Sequence, residues 1–219
     1  MELKVYNING SETGRTINLD DSIFAIEPNQ HAIYLDCKQY LADNRQGTHK
    51  AKERSENAHS TRKLKRQKGT GGARSGDLKS PVFVGGGRIF GPQPRDYRFK
   101  LNIKLKRLAR RSALSEKVAD NAMTIVENIN LEAPKTKKMI EILNNLKLGD
   151  KKSLIVVENQ NNFVSLSARN LPRVKVVTVS QLNTYDIVGA RNIVISEGSI
   201  AKIESSRVMV LPVSLPLML

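Results

Sequence analysis

A glycine- and arginine-rich stretch, RQKGTGGARSG at residues 66–76, holds the side chains whose types and spacing most clearly suit a chemical role. It carries three positive charges, four glycines, no acid and no large apolar side chain. Arginine guanidinium groups grip phosphate oxygens through paired hydrogen bonds, and lysine ammonium groups supply point charge. Glycines let a backbone approach another surface closely and adopt positive φ angles. These residue types predict binding to a polyanion.

The glycines of this stretch do not match a nucleotide-binding loop. A phosphate loop needs the spacing G-x4-G-K-[ST]. Gly71 and Gly76 have the glycine spacing, but Asp77 and Leu78 follow where lysine and a hydroxyl are required. A dinucleotide fingerprint is excluded as well, because residues 66–76 do not lie between a predicted strand and a predicted helix.

The histidines and the single cysteine do not form a catalytic or metal-binding pattern. His31 lies near a helix start, while His49 and His59 lie in a basic run, without a His-x3-His spacing or a carboxylate pair. Cys37 is the only cysteine, which excludes a disulfide framework and predicts a small core residue. No predicted strand end carries a nucleophile, a base and oxyanion donors together. We expect no enzyme, no metal and no cofactor.

The positive charge is concentrated in one third of the sequence. The chain has 219 residues, a net charge of +15 and a pI near 10.0. Residues 44–111 hold 20 Lys and Arg against 4 Asp and Glu, whereas the rest holds 16 against 17. Between residues 44 and 80 the only large apolar side chains are Leu64 and Leu78. Such a segment cannot offset an ordering cost of about 1–2 kcal/mol per residue, so we expect it to be disordered alone.

Strands and helices are predicted on both sides of the basic segment. Alternating apolar residues and turn signals predict strands at 2–8 and 13–19. A helix follows to about residue 43, with Ile33, Tyr34, Cys37 and Leu41 on its apolar face. After the basic segment the pattern predicts a helix from about 101 to 118, and then strands at 122–129, 153–158, 174–179 and 192–197 that alternate with helices. This order predicts a three-layer α/β/α globule around a mostly parallel sheet of about four strands.

The predicted domain is therefore interrupted by its basic segment. We expect residues 1–43 and 100–204 to form one globular domain, with 44–99 inserted as an extended basic loop. Residues 205–219 form an apolar tail with two prolines, too short to cross a membrane. The start MELKVYNING lacks a signal peptide, so we expect a cytosolic, soluble protein.

RNA is the predicted polyanion. A reader of double-helical grooves normally presents a structured helix or ribbon, whereas an arm ordered by its target suits an irregular folded RNA. Aromatic residues make up only 5% and Trp is absent, which argues against a base-stacking platform. Alternatives are an architectural DNA-binding protein, an enzyme, or a solvated basic linker. The predicted RNA-binding residues are Arg45, Lys50, Lys52, Arg54, Arg62, Lys63, Lys65, Arg66, Gln67, Lys68, Arg74, Lys79, Arg88, Arg95, Arg98, Lys104, Arg107, Arg110 and Arg111.

Several motifs carry a resemblance to a known family. RQGT (45–48), RQKGTGGARSG (66–76), KSP (79–81), GGGRIFGPQPRDY (85–97), EAPKTK (132–137) and ARNL (168–171) occur in order. Together they resemble the bacterial form of the fourth protein of the large ribosomal subunit, over residues 1 to about 204. Lys65 departs from the family pattern, where an aromatic is common, and Gly72 stands where arginine is common.

The resemblance implies an α/β globule on the subunit surface and a loop threaded through 23S-type rRNA to the peptide exit tunnel. Arg66, Gln67, Lys68, Gly69 and Thr70 would lie nearest the tunnel wall, with Lys68 closest to a passing nascent chain. A ribosomal protein of the L twenty-two type would lie opposite. No homo-oligomer and no membrane contact are expected.

Overall fold

The computed structural model describes residues 1–205, and the chain divides into two compact units. The first unit comprises residues 1–41 and the chain from residue 100 onward, and the second is Ala42–Phe99. Apart from Ser205, the predicted apolar tail at 205–219 lies outside the described residues. No helix within residues 1–205 is long and apolar enough to span a membrane.

The first unit is built on a six-stranded sheet. The strands are β1 (Glu2–Tyr6), β2 (Glu12–Asn18), β3 (Met123–Val126), β4 (Ser153–Val157), β5 (Val174–Thr178) and β6 (Asn192–Ser196). They lie in the order β2-β1-β3-β6-β4-β5, and every neighbouring pair is parallel except β1 with β2. The predicted fold class is confirmed, but the sheet has six strands because the N-terminal hairpin joins the four strands of the second half.

Helices cover both faces of this sheet. They are α1 (Asp21–Phe24), α2 (Gln30–Asp43), α3 (Ile103–Ala119), α4 (Thr136–Asn145), α5 (Asn162–Arg169), α6 (Thr184–Gly189) and α7 (Glu197–Ser205). One apolar cluster draws on the first three helices, α6 and α7, and a second draws on α4 and α5. Successive residues of a strand alternate between the clusters, so Leu154 and Val156 face one while Ile155 and Val157 face the other. The central strands are therefore buried on both sides.

Helix α2 buries only part of the face predicted. Ile33 is buried and Cys37 packs against the core, but Tyr34 and Leu41 are exposed, and the polar residues Asp36 and Gln39 are buried. Asp36 Oδ2 accepts a hydrogen bond from the Thr184 hydroxyl of α6. A buried carboxylate is tolerated where a donor satisfies it, and this pairing could not be read from the four-residue apolar spacing.

Candidate nucleic-acid interface

The second unit has a backbone that pairs with itself although it contains no β-strand. We call residues 45–56 and 77–98 the paired limbs and residues 57–76 the central loop. Backbone N–H groups join the limbs at Arg95 to the Gly47 oxygen (3.1 Å), Ala51 to the Pro92 oxygen (3.0 Å) and Arg88 to the Lys52 oxygen (2.9 Å). One helical turn, a 3-10 helix at Arg54–Glu56, ends the first limb. These hydrogen bonds give the limbs a defined geometry without a hydrophobic core.

Two glycines of the paired limbs are required because the backbones of the two limbs approach each other closely. Gly47 has φ +66°, and a Cβ there would lie 2.0 Å from the Arg95 carbonyl oxygen. At Gly87 a Cβ would lie 2.3 Å from the Arg54 nitrogen. Any side chain at these positions would push the limbs apart, because carbon cannot approach backbone atoms so closely.

The glycines of the central loop have no such internal reason. Gly69 and Gly71 have φ +83° and +62°, and a Cβ at either position would meet nothing within 4 Å. Their backbone conformation favours glycine, but the space beside them is open. This open space is available to a binding partner.

The acids of the paired limbs are engaged within the second unit. Each of the four between residues 44 and 99 has a partner: Glu53 with Gln93, Glu56 with Lys50, Asp77 with Arg54 and Asp96 with the Arg98 backbone N–H. The hydrogen bond from Lys50 is the main cause that lowers the pKa of Glu56, and it raises the pKa of Lys50 in turn. The limbs therefore neutralise part of their own charge.

The central loop carries cations that remain uncompensated. Its sequence contains no Asp or Glu. Its six Lys and Arg are all exposed, and within residues 1–205 none of them forms an ion pair: Arg62, Lys63, Lys65, Arg66, Lys68 and Arg74. Lys63 donates a hydrogen bond to the Gln67 side chain. The predicted tip residues Arg66, Gln67, Lys68, Gly69 and Thr70 all lie in this exposed loop.

The predicted limb residues lie on the surface, and two of them share one aromatic ring. Arg45, Lys50, Lys52, Arg54, Arg88, Arg95 and Arg98 are exposed, and Lys79 is half-buried. The Arg45 and Arg95 guanidinium carbons lie 3.9 and 4.6 Å from the centre of the Tyr97 ring. The hydrogen bond from Arg95 is the main cause that lowers the pKa of Tyr97. This aromatic clasp holds the ends of the two limbs together.

Four predicted cations belong to the first unit, on α3. Lys104 is exposed, whereas Arg107, Arg110 and Arg111 are half-buried. The Nε atoms of these three arginines are enclosed and lack a hydrogen-bond partner within residues 1–205. Burial is the main cause that lowers the pKa of Arg110, and the charge of Asp36 opposes it. The first turns of α3 thus hold a compact set of cations, partly ordered by packing.

One exposed aromatic residue of the limbs was not predicted from the sequence. Phe90 is fully exposed and has φ +51°, a conformation that bulky residues rarely adopt. The overall aromatic content concealed it, because a composition counts residues without showing which are exposed. The GGGRIFGP context around it gave no signal for a left-handed phenylalanine.

Metal-binding side chains do not gather in the described part of the chain. Within residues 1–205 no group of three or more His, Cys, Asp and Glu side chains is placed to hold a metal ion. His49 stacks with Tyr97 in the second unit, and His31 stacks with Tyr34 on α2. The first unit places an amide-rich cavity of about 480 Å3 at the carboxyl ends of β3, β4 and β6, including Asn128, Asn159 and Asn161.

The architecture defines a class: an α/β protein whose chain is interrupted by a cationic, self-paired arm. Comparison with known proteins then gives the family. The profile of the Ribosomal protein L4/L1 family matches residues 17–206. The chain is 62% identical to large ribosomal subunit protein uL4 of Parabacteroides distasonis over 206 residues, covering 94% of this chain and 99% of the relative. The proteins of the same name from Cytophaga hutchinsonii and Bacteroides fragilis are both 59% identical, again over 94% of this chain and 99% of each relative.

The chain therefore belongs to the ribosomal protein L4/L1 family. The predicted family is confirmed, and with it the expectation of a structural, non-enzymatic protein. The roles predicted for individual residues of the arm remain predictions.

Proposed function

We propose that this protein is a structural constituent of the large ribosomal subunit that binds large-subunit rRNA through its arm and the cations of α3. Family membership supports the place in the subunit, in the cytoplasm. The observation that carries the RNA-binding role is the central loop. Its six cations are exposed, its sequence contains no acid, and none of the six forms an ion pair within residues 1–205. Arginine and lysine in this state are free to contact phosphates.

The central loop is also the segment proposed to reach the peptide exit tunnel. Arg66 to Thr70 are exposed, and the open space beside Gly69 leaves room for RNA on its surface. In this arrangement Lys68 faces the nascent peptide, and a protein of the L twenty-two type lies across the tunnel. Insertion of the arm into the rRNA around the tunnel supports subunit assembly, because the arm would bind separate RNA segments to one protein.

Sedimentation of the whole chain tests the place in the subunit. A tagged copy expressed in cells should migrate with large subunits and stay with them after a high-salt wash. A variant with Arg66→Glu and Lys68→Glu should enter fewer subunits, since two acids would face phosphates. Recovery of the unmodified chain at the top of the gradient, free of subunits, would contradict the proposal.

Binding measurements test the RNA contact directly. If about ten basic groups contact phosphate, log K should fall against log salt with a slope of roughly −7, by the single-strand coefficient. Random duplex DNA in the same buffer should bind more weakly than large-subunit rRNA. Equal affinity for both would favour the alternative of an architectural DNA-binding protein, which the relatives do not support.

A further inference from the structure

Phe90 lies in a conformation and an environment that the isolated protein does not explain. Its ring is fully exposed on the second limb, and its φ of +51° is unusual for a bulky side chain. Such outliers persist where the surroundings impose them, and they cluster at binding sites. Val84 and Ile89 are also exposed nearby in the sequence, in a segment otherwise rich in charge. An apolar group held outward in this way is suited to an external contact.

A cavity of about 1190 Å3 in the second unit adjoins this ring. Phe90 and Ile89 contribute to its lining. The charged residues of the lining are three cations and two acids: Arg54, Lys79, Arg88, Glu53 and Asp77. Its volume exceeds that of sites which enclose small organic ligands. The cavity therefore has room for a nucleotide, and it combines an aromatic ring with positive charge.

A carboxylate in the cavity lining selects the part of a nucleotide that can enter. Asp77 is 5% exposed, and its Oδ1 lies 2.9 Å from Arg54 Nη2 yet accepts no hydrogen bond within residues 1–205. A phosphate would be repelled by this group. The amino groups of nucleobases are donors that a carboxylate accepts, as in contacts of Asp with cytosine. The lining thus favours a base beside Asp77, with the adjoining phosphates on Lys79 and Arg88, which have no acid partner within residues 1–205.

We propose that Phe90 stacks on an unpaired base of large-subunit rRNA, which enters the cavity beside it. The inference rests on the proposed rRNA binding and adds a base-stacking site to an interface otherwise based on charge. A stack between an aromatic ring and a base is favourable for every base, because each has a π-face. The positive charge of the lining favours RNA over an apolar protein surface.

Truncation of the ring tests the energy of the stack on deproteinised large-subunit rRNA. Phe90→Ala should weaken binding by about 5- to 150-fold, the range for loss of one stacked base. The slope against salt should stay unchanged, because no phosphate contact is removed. Phe90→Gly accepts the positive φ without strain and should show the same loss, so a folding defect cannot account for it. Phe90→Leu should not restore affinity, whereas Phe90→Tyr should.

Fluorescence provides an independent measurement, because the chain contains no tryptophan. Phe90→Trp should retain affinity, and its emission should be quenched when rRNA is added. Val84→Trp is a matched control at another fully exposed position of the same limb. Its emission should change less, and Val84→Ala should alter affinity by no more than about twofold.

The results separate this inference from the function on which it rests. Strong, salt-dependent binding by all variants, with Phe90→Ala equal to the unmodified protein, would overturn the stacking site and leave rRNA binding intact. Full affinity in Phe90→Leu would overturn it too, since an aliphatic contact would then suffice. A loss seen only in subunit incorporation would assign Phe90 to a protein neighbour. Failure of the unmodified chain to bind rRNA would refute both proposals.

Discussion

Removing three central-loop cations should reduce the salt dependence of RNA binding by a predictable amount. The variant carries Arg66→Gln, Lys68→Gln and Arg74→Gln, which keep polar side chains of similar reach. All three cations are exposed and form no ion pair within residues 1–205, so their removal disrupts no intramolecular ion pair there. Folding of the first unit should be unchanged, which thermal unfolding can verify.

The size of the effect follows from counterion release. Each phosphate contact on single-stranded RNA contributes about 0.7 to the slope of log K against log salt, so losing three contacts should flatten the slope by about 2. Raising salt from about 0.1 to 0.4 M should then lower the RNA affinity of the unmodified protein by about 20-fold more than that of the variant. Fluorescence anisotropy of labelled rRNA fragments across this salt range measures both slopes.

A matched control removes the same charge from ion-paired positions of the first unit. Lys4, Arg173 and Lys202 lie 2.9, 4.0 and 3.0 Å from carboxylates of Glu12, Asp150 and Glu158. Exposed pairs of this kind contribute little to stability, so Lys4→Gln, Arg173→Gln and Lys202→Gln should leave a folded protein. If both triple variants flatten the slope equally, net charge governs binding and the assignment of phosphate contacts to the central loop is wrong.

Three further perturbations address separate parts of the structure. Gly87→Ala should weaken rRNA binding about 5- to 100-fold, because it disrupts limb hydrogen bonds worth about 0.5–1.5 kcal/mol each. Gly76→Ala is the control: a Cβ there meets nothing within 4 Å, so its unfolding temperature should match that of the unmodified protein. Asp36→Ala should destabilise the first unit by about 1–3 kcal/mol in denaturant unfolding because the Thr184 hydroxyl loses its buried partner, and Asp36→Asn, which keeps an acceptor, should cost less. Burial raises the pKa of the Cys37 thiol, so near pH 8 iodoacetamide should alkylate it more slowly than free cysteine; equal rates would contradict this.

The α/β unit could be predicted from sequence because its pattern is periodic. The apolar runs predicted as strands at 153–158 and 192–197 correspond to β4 and β6, which are buried on both faces. Periodicity failed where a polar residue is buried with a specific partner, as Asp36 is on α2. That partner, Thr184, lies 148 residues away in the chain, so no local pattern could reveal the pair.

The geometry of the arm could not be predicted, since its order comes from backbone hydrogen bonds between residues 36 to 48 positions apart in the chain. The charge of the segment predicted a polyanion partner, but hydrogen bonds such as Arg88 to Lys52 leave no trace in a hydropathy pattern. Glycine was informative in type only. Gly47 and Gly69 look alike in sequence, yet the first is confined by the opposite limb and the second by nothing within 4 Å.

The placement of acids separates two requirements of the proposed rRNA-binding arm, which are a backbone closed on itself and cations left uncompensated. All four acids between residues 44 and 99 lie in the paired limbs, where like charges on two adjacent chains would otherwise repel each other. Their ion pairs and hydrogen bonds offset that repulsion where the backbone must close on itself. The central loop has no adjacent limb whose charge an acid would need to offset. An acid there would only repel phosphate. The absence of acids from residues 57–76 supports the proposed phosphate binding. Introducing an acid at Ala73 by Ala73→Asp should therefore reduce rRNA affinity without lowering the unfolding temperature.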